Sequence, residues 1–187
     1  MKHILPVLTV TALAAAASAQ VAPAPAAKQA ISYDRIVASW VHVNEGIGSG
    51  ISVTAQGKIG AGLYVSATTT DIHTSTQFDG TAASLGYIVA LPHVLGMTTD
   101  LNIELGYKSL GAGIRSLIGG GLEFDLAYAH GAGSEGIDTT TVGLSYNLGF
   151  LAKGLSINAS YGHHAEYSPV NAGVKANKTT IGIAYNF

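Results

Sequence analysis

The chain has 187 residues, a formal net charge of −2, 11% charged residues, 24 glycines and no cysteine. Charge that sparse is under half the ~25% of an ordinary soluble domain, so a soluble α/β enzyme and a disordered chain both fit poorly. Without cysteine, disulfide scaffolds, thiolate nucleophiles and Cys-based zinc sites are excluded, and the near-neutral charge gives no reason to expect nucleic acid.

The chain opens on a basic Met1-Lys2-His3, followed by an apolar stretch over 4–17 broken only by Pro6, Thr9 and Thr11. Ala17-Ser18-Ala19 then offers the small residues a signal peptidase reads. A membrane-spanning helix needs about 20 apolar residues, more than this stretch supplies. The reading is a cleaved signal peptide over 1–19. No cysteine follows the cleavage site, so no lipoprotein anchor is expected. Residues 20–30, with Pro23 and Pro25 among alanines, read as a flexible periplasmic linker.

From residue 31 onward period two dominates. Leu101, Ile103, Leu105 and Tyr107 alternate with Asn102, Glu104, Gly106 and Lys108. Val142, Leu144, Tyr146, Leu148 and Phe150 alternate with threonine, glycine, serine and asparagine, as do Leu155, Ile157, Ala159 and Tyr161. Ile181, Ile183, Tyr185 and Phe187 close the chain in the same way. One face of each segment is bulky and apolar, and the other is small or polar. A soluble sandwich would carry Lys, Glu and Arg on its water face; this chain carries Gly, Ser, Thr and Asn, the filling of a narrow lumen. The pattern predicts an all-β fold: a closed antiparallel transmembrane β-barrel over 31–187.

Ten strands are favoured, over 32–43, 49–58, 61–71, 81–91, 99–109, 112–120, 122–130, 139–149, 154–163 and 178–187. Each is near the ~9–11 residues a tilted strand needs to cross a bilayer. An eight-strand count stays open if the weakly patterned pair around 114–122 is miscounted. The first strand is ambiguous in phase, since Trp40 and Val41 are adjacent and both bulky. Joins at 57–60, 92–98, 119–121 and 149–154 read as tight periplasmic turns, with longer joins expected outside. Tyr107, Tyr128 and Tyr161 fall at outer strand ends, and Phe124, Phe150 and Phe187 at inner ones, which predicts a Tyr belt and a Phe belt.

The ending Thr180-Ile181-Gly182-Ile183-Ala184-Tyr185-Asn186-Phe187 resembles the C-terminal signature of Gram-negative outer-membrane barrels. Ile31-Ser32-Tyr33-Asp34 is similar to the first strand of small barrels of the outer-membrane-protein-A and opacity type. The resemblance implies that Ile181, Ile183, Tyr185 and Phe187 form the signal read by the barrel-assembly machinery. It also implies periplasmic chaperones during biogenesis and outer-membrane lipid as the final surroundings. That family includes structural proteins, adhesins, small pores and a few enzymes, so it implies location more than activity.

Residues able to carry chemistry are few. His73, His130, His163 and His164 fall at outer strand ends, but their spacing matches no fixed ligand pattern, and a solvated rim is favoured over a metal site. Asp71-Ile72-His73 resembles half of the arrangement in ten-stranded outer-membrane proteases, with Glu135 and Asp138 as the nearest candidates for the other half. His164, Glu166 and Ser168 crowd into one loop, unlike a rigidly held triad. No catalytic, cofactor or metal site is expected. In the lumen, Glu104, Lys108 and Arg115 read as a neutralising charge cluster, a plug rather than the gate of a pore.

The sequence therefore points to a monomeric outer-membrane barrel with a structural or surface role and no enzymatic activity, alternatives being a narrow passive channel for small solutes or a surface adhesin. Deleting Phe187, or Phe187→Ser, is expected to lower the folded yield recovered from outer membranes, with the remainder aggregated or degraded in the periplasm. Unchanged folded yield on fractionation would remove the assembly-signal reading.

Overall fold

The computed structural model describes residues 31–44, 47–73, 80–93, 95–119, 121–131, 137–166 and 175–187; the expected signal peptide, 1–19, and linker, 20–30, lie outside them. Ten strands follow in order: β1 (Arg35–Val43), β2 (Gly48–Lys58), β3 (Leu63–Ile72), β4 (Gly80–Ala90), β5 (Thr98–Gly106), β6 (Ser109–Ile118), β7 (Leu122–Gly131), β8 (Ile137–Asn147), β9 (Leu155–Glu166) and β10 (Lys175–Asn186). Each pairs antiparallel with its sequence neighbours, and β1 pairs with β10 from Arg35↔Asn186 to Val43↔Lys178. The sheet is a closed barrel. The stretch around 114–122 is two full strands, β6 and β7, laddered from Ser109↔Gly131 to Ile118↔Leu122, which removes the eight-strand count.

Side-chain parity decides what faces where. Ile51, Leu105, Leu144, Ile181 and Ile183 stand exposed on the outer wall. Leu144 is 52% exposed, whereas its neighbour Ser145 lines the lumen. An apolar outside is the arrangement that burial in lipid favours, and closure leaves no strand edge unpaired. In β1 the phase ambiguity resolves: Trp40 faces out, and Val41 and Val43 point in. These two valines pack with Ile72 and Ala176, and with the partly buried Ile47, as an apolar cluster at the end of the barrel far from the termini. Most inward polar side chains lie below it, although His164, laddered to Ala176, sits at its level.

Three expectations are corrected. The first strand begins at Arg35 rather than at 32, so Ile31-Ser32-Tyr33-Asp34 is not part of the wall. Instead Ile31 and Tyr33 are buried with Tyr64, against Ile88 and Leu117, at the end of the barrel where the termini meet. The joins do not differ clearly in length between the two ends: 59–62, 91–97, 119–121 and 148–154 at the terminal end, against 44–47, 73–79, 107–108, 132–136 and 167–174 at the far end. Strands of nine to twelve residues absorb chain that the pattern assigned to the far-end joins. Nor do Tyr and Phe sort into separate belts, because the exposed Tyr87, Tyr146 and Tyr185 join Phe150 and Phe187 at the terminal end.

One turn ties the start of β9 to the end of β10. Gly154 has φ +82°, and a Cβ there would lie 2.1 Å from the Asn186 carbonyl oxygen. Its own carbonyl accepts from the Asn186 backbone N–H at 2.8 Å and from Asn186 Nδ2 at 3.0 Å. Only glycine meets both requirements.

Parity makes a direct prediction. Leu144→Arg should cost about 2–4 kcal/mol, the range for a cation near the bilayer midplane. Ser145→Asn should stay within roughly 0.5 kcal/mol, as a polar change on a polar face, whereas Leu144→Asn should not. Folding titrations into lipid vesicles measure the difference, and equal tolerance of Asn at both positions would overturn the assignment of faces.

Candidate functional site

The inward face of every strand converges on one lumen, which among the described residues is where polar side chains from many elements gather. At its terminal end Tyr33 is fully buried. Its ring lies 5.0 Å from that of Tyr64, and the Arg115 guanidinium carbon stands 4.5 Å from its centroid. Lys58 approaches the same ring at 5.6 Å. Cations over an aromatic face are attracted by its quadrupole, more so when desolvated. Burial pushes the Tyr33 phenol up to about 12, so it stays protonated. Tyr64 itself fits because the residue opposite is Gly86, where an added Cβ would fall 2.2 Å from the tyrosine ring.

Arg115 organises the charges. Its neighbours in the ladders are Asp100 on β5 and Asp125 on β7. The guanidinium reaches diagonally to Glu123, with Nε donating at 2.9 Å to Oε1 and Nη2 donating to the same oxygen. Nη1 donates at 3.1 Å to the Ser32 carbonyl, which ties the segment before β1 to the wall. Arg35 Nη1 stands 3.8 Å from Glu123, and Arg35 Nε donates to Gln56 at 3.1 Å. Glu104 accepts from the Tyr64 hydroxyl and, at 3.4 Å, from Ser84.

Of the cluster expected from sequence, the structure brings Glu104 and Arg115 to the lumen but pairs them with other partners. Lys108 is a correction. It lies in the two-residue turn after β5, exposed, with Nζ 5.7 Å from the Tyr107 ring. Sequence reasoning missed Tyr33, Arg35, Tyr64, Glu123, Asp125 and Lys178. A signal was present for most of them: Tyr64 shares its phase with Ser66, Thr68 and Thr70, unlike the tyrosines that share theirs with Leu and Ile. Glu123, Asp125 and Lys178 also stand in the polar phase of their strands.

Above the Arg35–Glu123 contact lies a cavity of about 320 Å³, lined among others by Arg35, Asp125, Asn158, Lys178 and Thr180. A second, of about 170 Å³, lies toward the terminal end and shares Arg35, Glu123 and Ser145 with the first. Hydroxyl pairs line the wall, Thr54 with Thr68 at 2.9 Å and Ser160 with Thr180 at 2.6 Å.

The far-end histidines do not converge. His130 and His163 face outward, where Nδ1 of His130 meets Asp138 at 2.7 Å and Nδ1 of His163 meets Asn177 at 2.8 Å. His164 faces inward, its Nδ1 3.0 Å from the Thr139 hydroxyl. Consecutive strand residues point to opposite sides of the wall, so His163 and His164 cannot share a ligand. Asp71 is exposed on the outer wall, Ile72 is buried inside, and Asp138 also accepts from the Tyr128 hydroxyl at 3.1 Å. Glu135 and Ser168, and the side chain of Glu166, lie outside the described residues.

No protein-family model matches the sequence, and no curated protein matches it either. Among solved structures the fold is similar to that of the KdgM porin, with a TM-score of 0.54 and 13% identity over 82% of this chain and 99% of that one. The N-terminal β-barrel domain of Pseudomonas aeruginosa OprF aligns with a TM-score of 0.39 and 10% identity, over 84% of this chain and 100% of that one. These neighbours are outer-membrane β-barrels. At such identities the likeness is one of fold.

Removing one member of a buried pair strands the other's charge. Glu123→Leu alone should cost about 3 kcal/mol, and the double change with Arg115→Met should cost less than that single one. Urea unfolding of the reconstituted barrel checks both, and a double variant weaker than either single one would overturn the pairing.

Proposed function

We propose that this chain is an integral barrel of the bacterial outer membrane with a structural or surface role and no enzymatic activity. The end where the termini meet is then periplasmic, reached after export by a cleaved signal peptide. Ile181, Ile183, Tyr185 and Phe187, all on the outer wall near the seam, serve as the signal for the assembly machinery, with periplasmic chaperones keeping the chain soluble beforehand. The folded protein meets outer-membrane lipid as a monomer and uses no cofactor.

The observation that carries a closed, non-conducting role is Tyr33. A segment that is not part of the wall places this ring in the lumen between Tyr64 and Arg115. Ten strands already leave an interior largely filled by side chains, because an open aqueous channel belongs to wider barrels. The second reading, a narrow passive channel for small solutes, is favoured by the two cavities that meet at Arg35, Glu123 and Ser145. Their contact is the narrow point of such a path.

Planar-bilayer recording separates the two. The unaltered protein should give no discrete conductance steps, and Tyr33→Ala, which removes the ring but no part of the wall, should introduce them. Steps from the unaltered protein would favour the channel. A variant as silent as the parent would show that the occlusion does not depend on Tyr33.

A further inference from the structure

We propose that the larger lumen cavity is a binding site for a small zwitterion, whose anionic group meets Lys178 and whose cationic group meets Asp125. This goes beyond the structural reading above; it rests on the barrel being folded and not on its conducting.

The argument starts from which charges are already satisfied. Four charged side chains line the cavity: Arg35, Glu123, Asp125 and Lys178. Arg35 is held by Gln56 and stands beside Glu123, and Glu123 takes two further N–H groups from Arg115. Lys178 and Asp125 are different. Among the described residues neither side chain forms a hydrogen bond or an ion pair within 4 Å, with each other or with anything else. A charge enclosed by a protein wall is costly unless something neutralises it. The Arg115 and Arg35 guanidinium groups act on Asp125 through space without bonding to it, so Asp125 and Lys178 both keep their direct contact positions open to whatever enters the space between them.

The wall leaves that space clear. Asp125 on β7 is laddered to Gly143 on β8, Gly143 to Ser160 on β9, and Ser160 to Thr180 on β10, one inward step from Lys178. Lys178 is itself laddered to Gly162. Gly143, which lines the cavity between Asp125 and Ser160, thus keeps bulk out beside the carboxylate. Asn158 lines the same cavity, and its side-chain nitrogen is buried with no hydrogen-bond partner. That donor can serve an anionic group beside the ammonium. At about 30 Å³ per water, the volume holds on the order of ten waters or one solute of amino-acid size.

Charge pairing selects the class. A simple anion satisfies Lys178 but meets Asp125 as a like charge, and a simple cation does the reverse. A neutral polyol hydrogen-bonds to the hydroxyls but neutralises neither. Only a molecule carrying both signs answers both groups.

The test uses the full-length protein purified from outer membranes in detergent, with heat-modifiable migration confirming a folded barrel. Isothermal titration at millimolar concentrations compares 4-aminobutyrate with butyrate and butylamine, the matched solutes carrying one charge each. The zwitterion should bind at least tenfold tighter than either. Lys178→Met should reduce its affinity to that of butylamine, and Asp125→Asn to that of butyrate. If either variant fails to fold, the three-solute comparison on the unaltered protein still decides. Equal binding of all three solutes, or none, by a heat-modifiable barrel would overturn the site while leaving the barrel intact. Unchanged zwitterion affinity in both folded variants would overturn the assigned residues. A chain with no heat-shifted band would overturn the membrane-barrel reading itself.

Discussion

Everything in this molecule depends on the seam between β1 and β10. Nine register pairs, Arg35↔Asn186 through Val43↔Lys178, join the first strand to the last, so neither presents a free edge. In hydrocarbon an unpaired N–H or C=O costs several kcal/mol, and a row of them would outweigh any side-chain contact described here. Closure also fixes the radius, and the radius fixes the composition of the interior. That is why the inward phase is written mostly in glycine, alanine, serine and threonine, and why most of the bulk stands in the outer phase. The same constraint gives each large inward side chain a small neighbour: Tyr64 lies over Gly86, and Asn102 stands where a Cβ on Gly113 would come within 2.5 Å of its Oδ1.

Within that narrow space the charged groups are arranged by sign. Among the described residues, the inward-facing Arg35, Lys58, Arg115 and Lys178 are matched in number by Asp100, Glu104, Glu123 and Asp125. They are not matched in position. The pairs crowd toward the terminal end around Arg115, which joins Glu123, the Tyr33 ring and the Ser32 carbonyl. Lys178 stands apart, Asp125 is laddered to Arg115 without bonding to it, and the apolar cluster of Val41, Val43 and Ile72 lies beyond them toward the far end. One end of the lumen is thus filled by mutually satisfied groups, while the middle keeps polar volume.

The strands were legible in the sequence because two solvents on two faces write the strongest pattern a chain can carry. The segment read over 122–130 is Leu122–Gly131 in the structure, and the others shift by a few residues at most. What escaped has specific causes. The pattern puts Lys108 in the lumen because a two-residue hairpin leaves the alternation unbroken, so Tyr107 and Lys108 continue the phase of β5 through the turn. The pattern puts Tyr33 in a strand because a segment folded into the lumen also points every second residue inward, and parity cannot tell the two apart. The partners of Glu104 and Arg115 were out of reach for another reason. Strand stagger decides which inward residues meet, and the ladder between Arg115 and Asp125 ends in an ion pair with Glu123 instead.

The way residues 31–34 are held separates the closing of the lumen from the stability of the wall. A wall residue is fixed by ladders on both sides, whereas this segment is tied by a few points. The Asp34 carbonyl accepts from Phe187 N–H at 3.0 Å, Asp34 Oδ1 accepts from Lys58 N–H at 2.8 Å, and Arg115 reaches the Ser32 carbonyl. The burial of Ile31 and Tyr33 against Tyr64, Ile88 and Leu117 supplies the rest. Elements with few ties open locally at a fraction of the global unfolding free energy, and none of these ties belongs to the β1–β10 ladder. The ring that fills the terminal end of the lumen can therefore leave it while all ten strands stay paired, so an occluded state and an open one are both compatible with the same intact barrel.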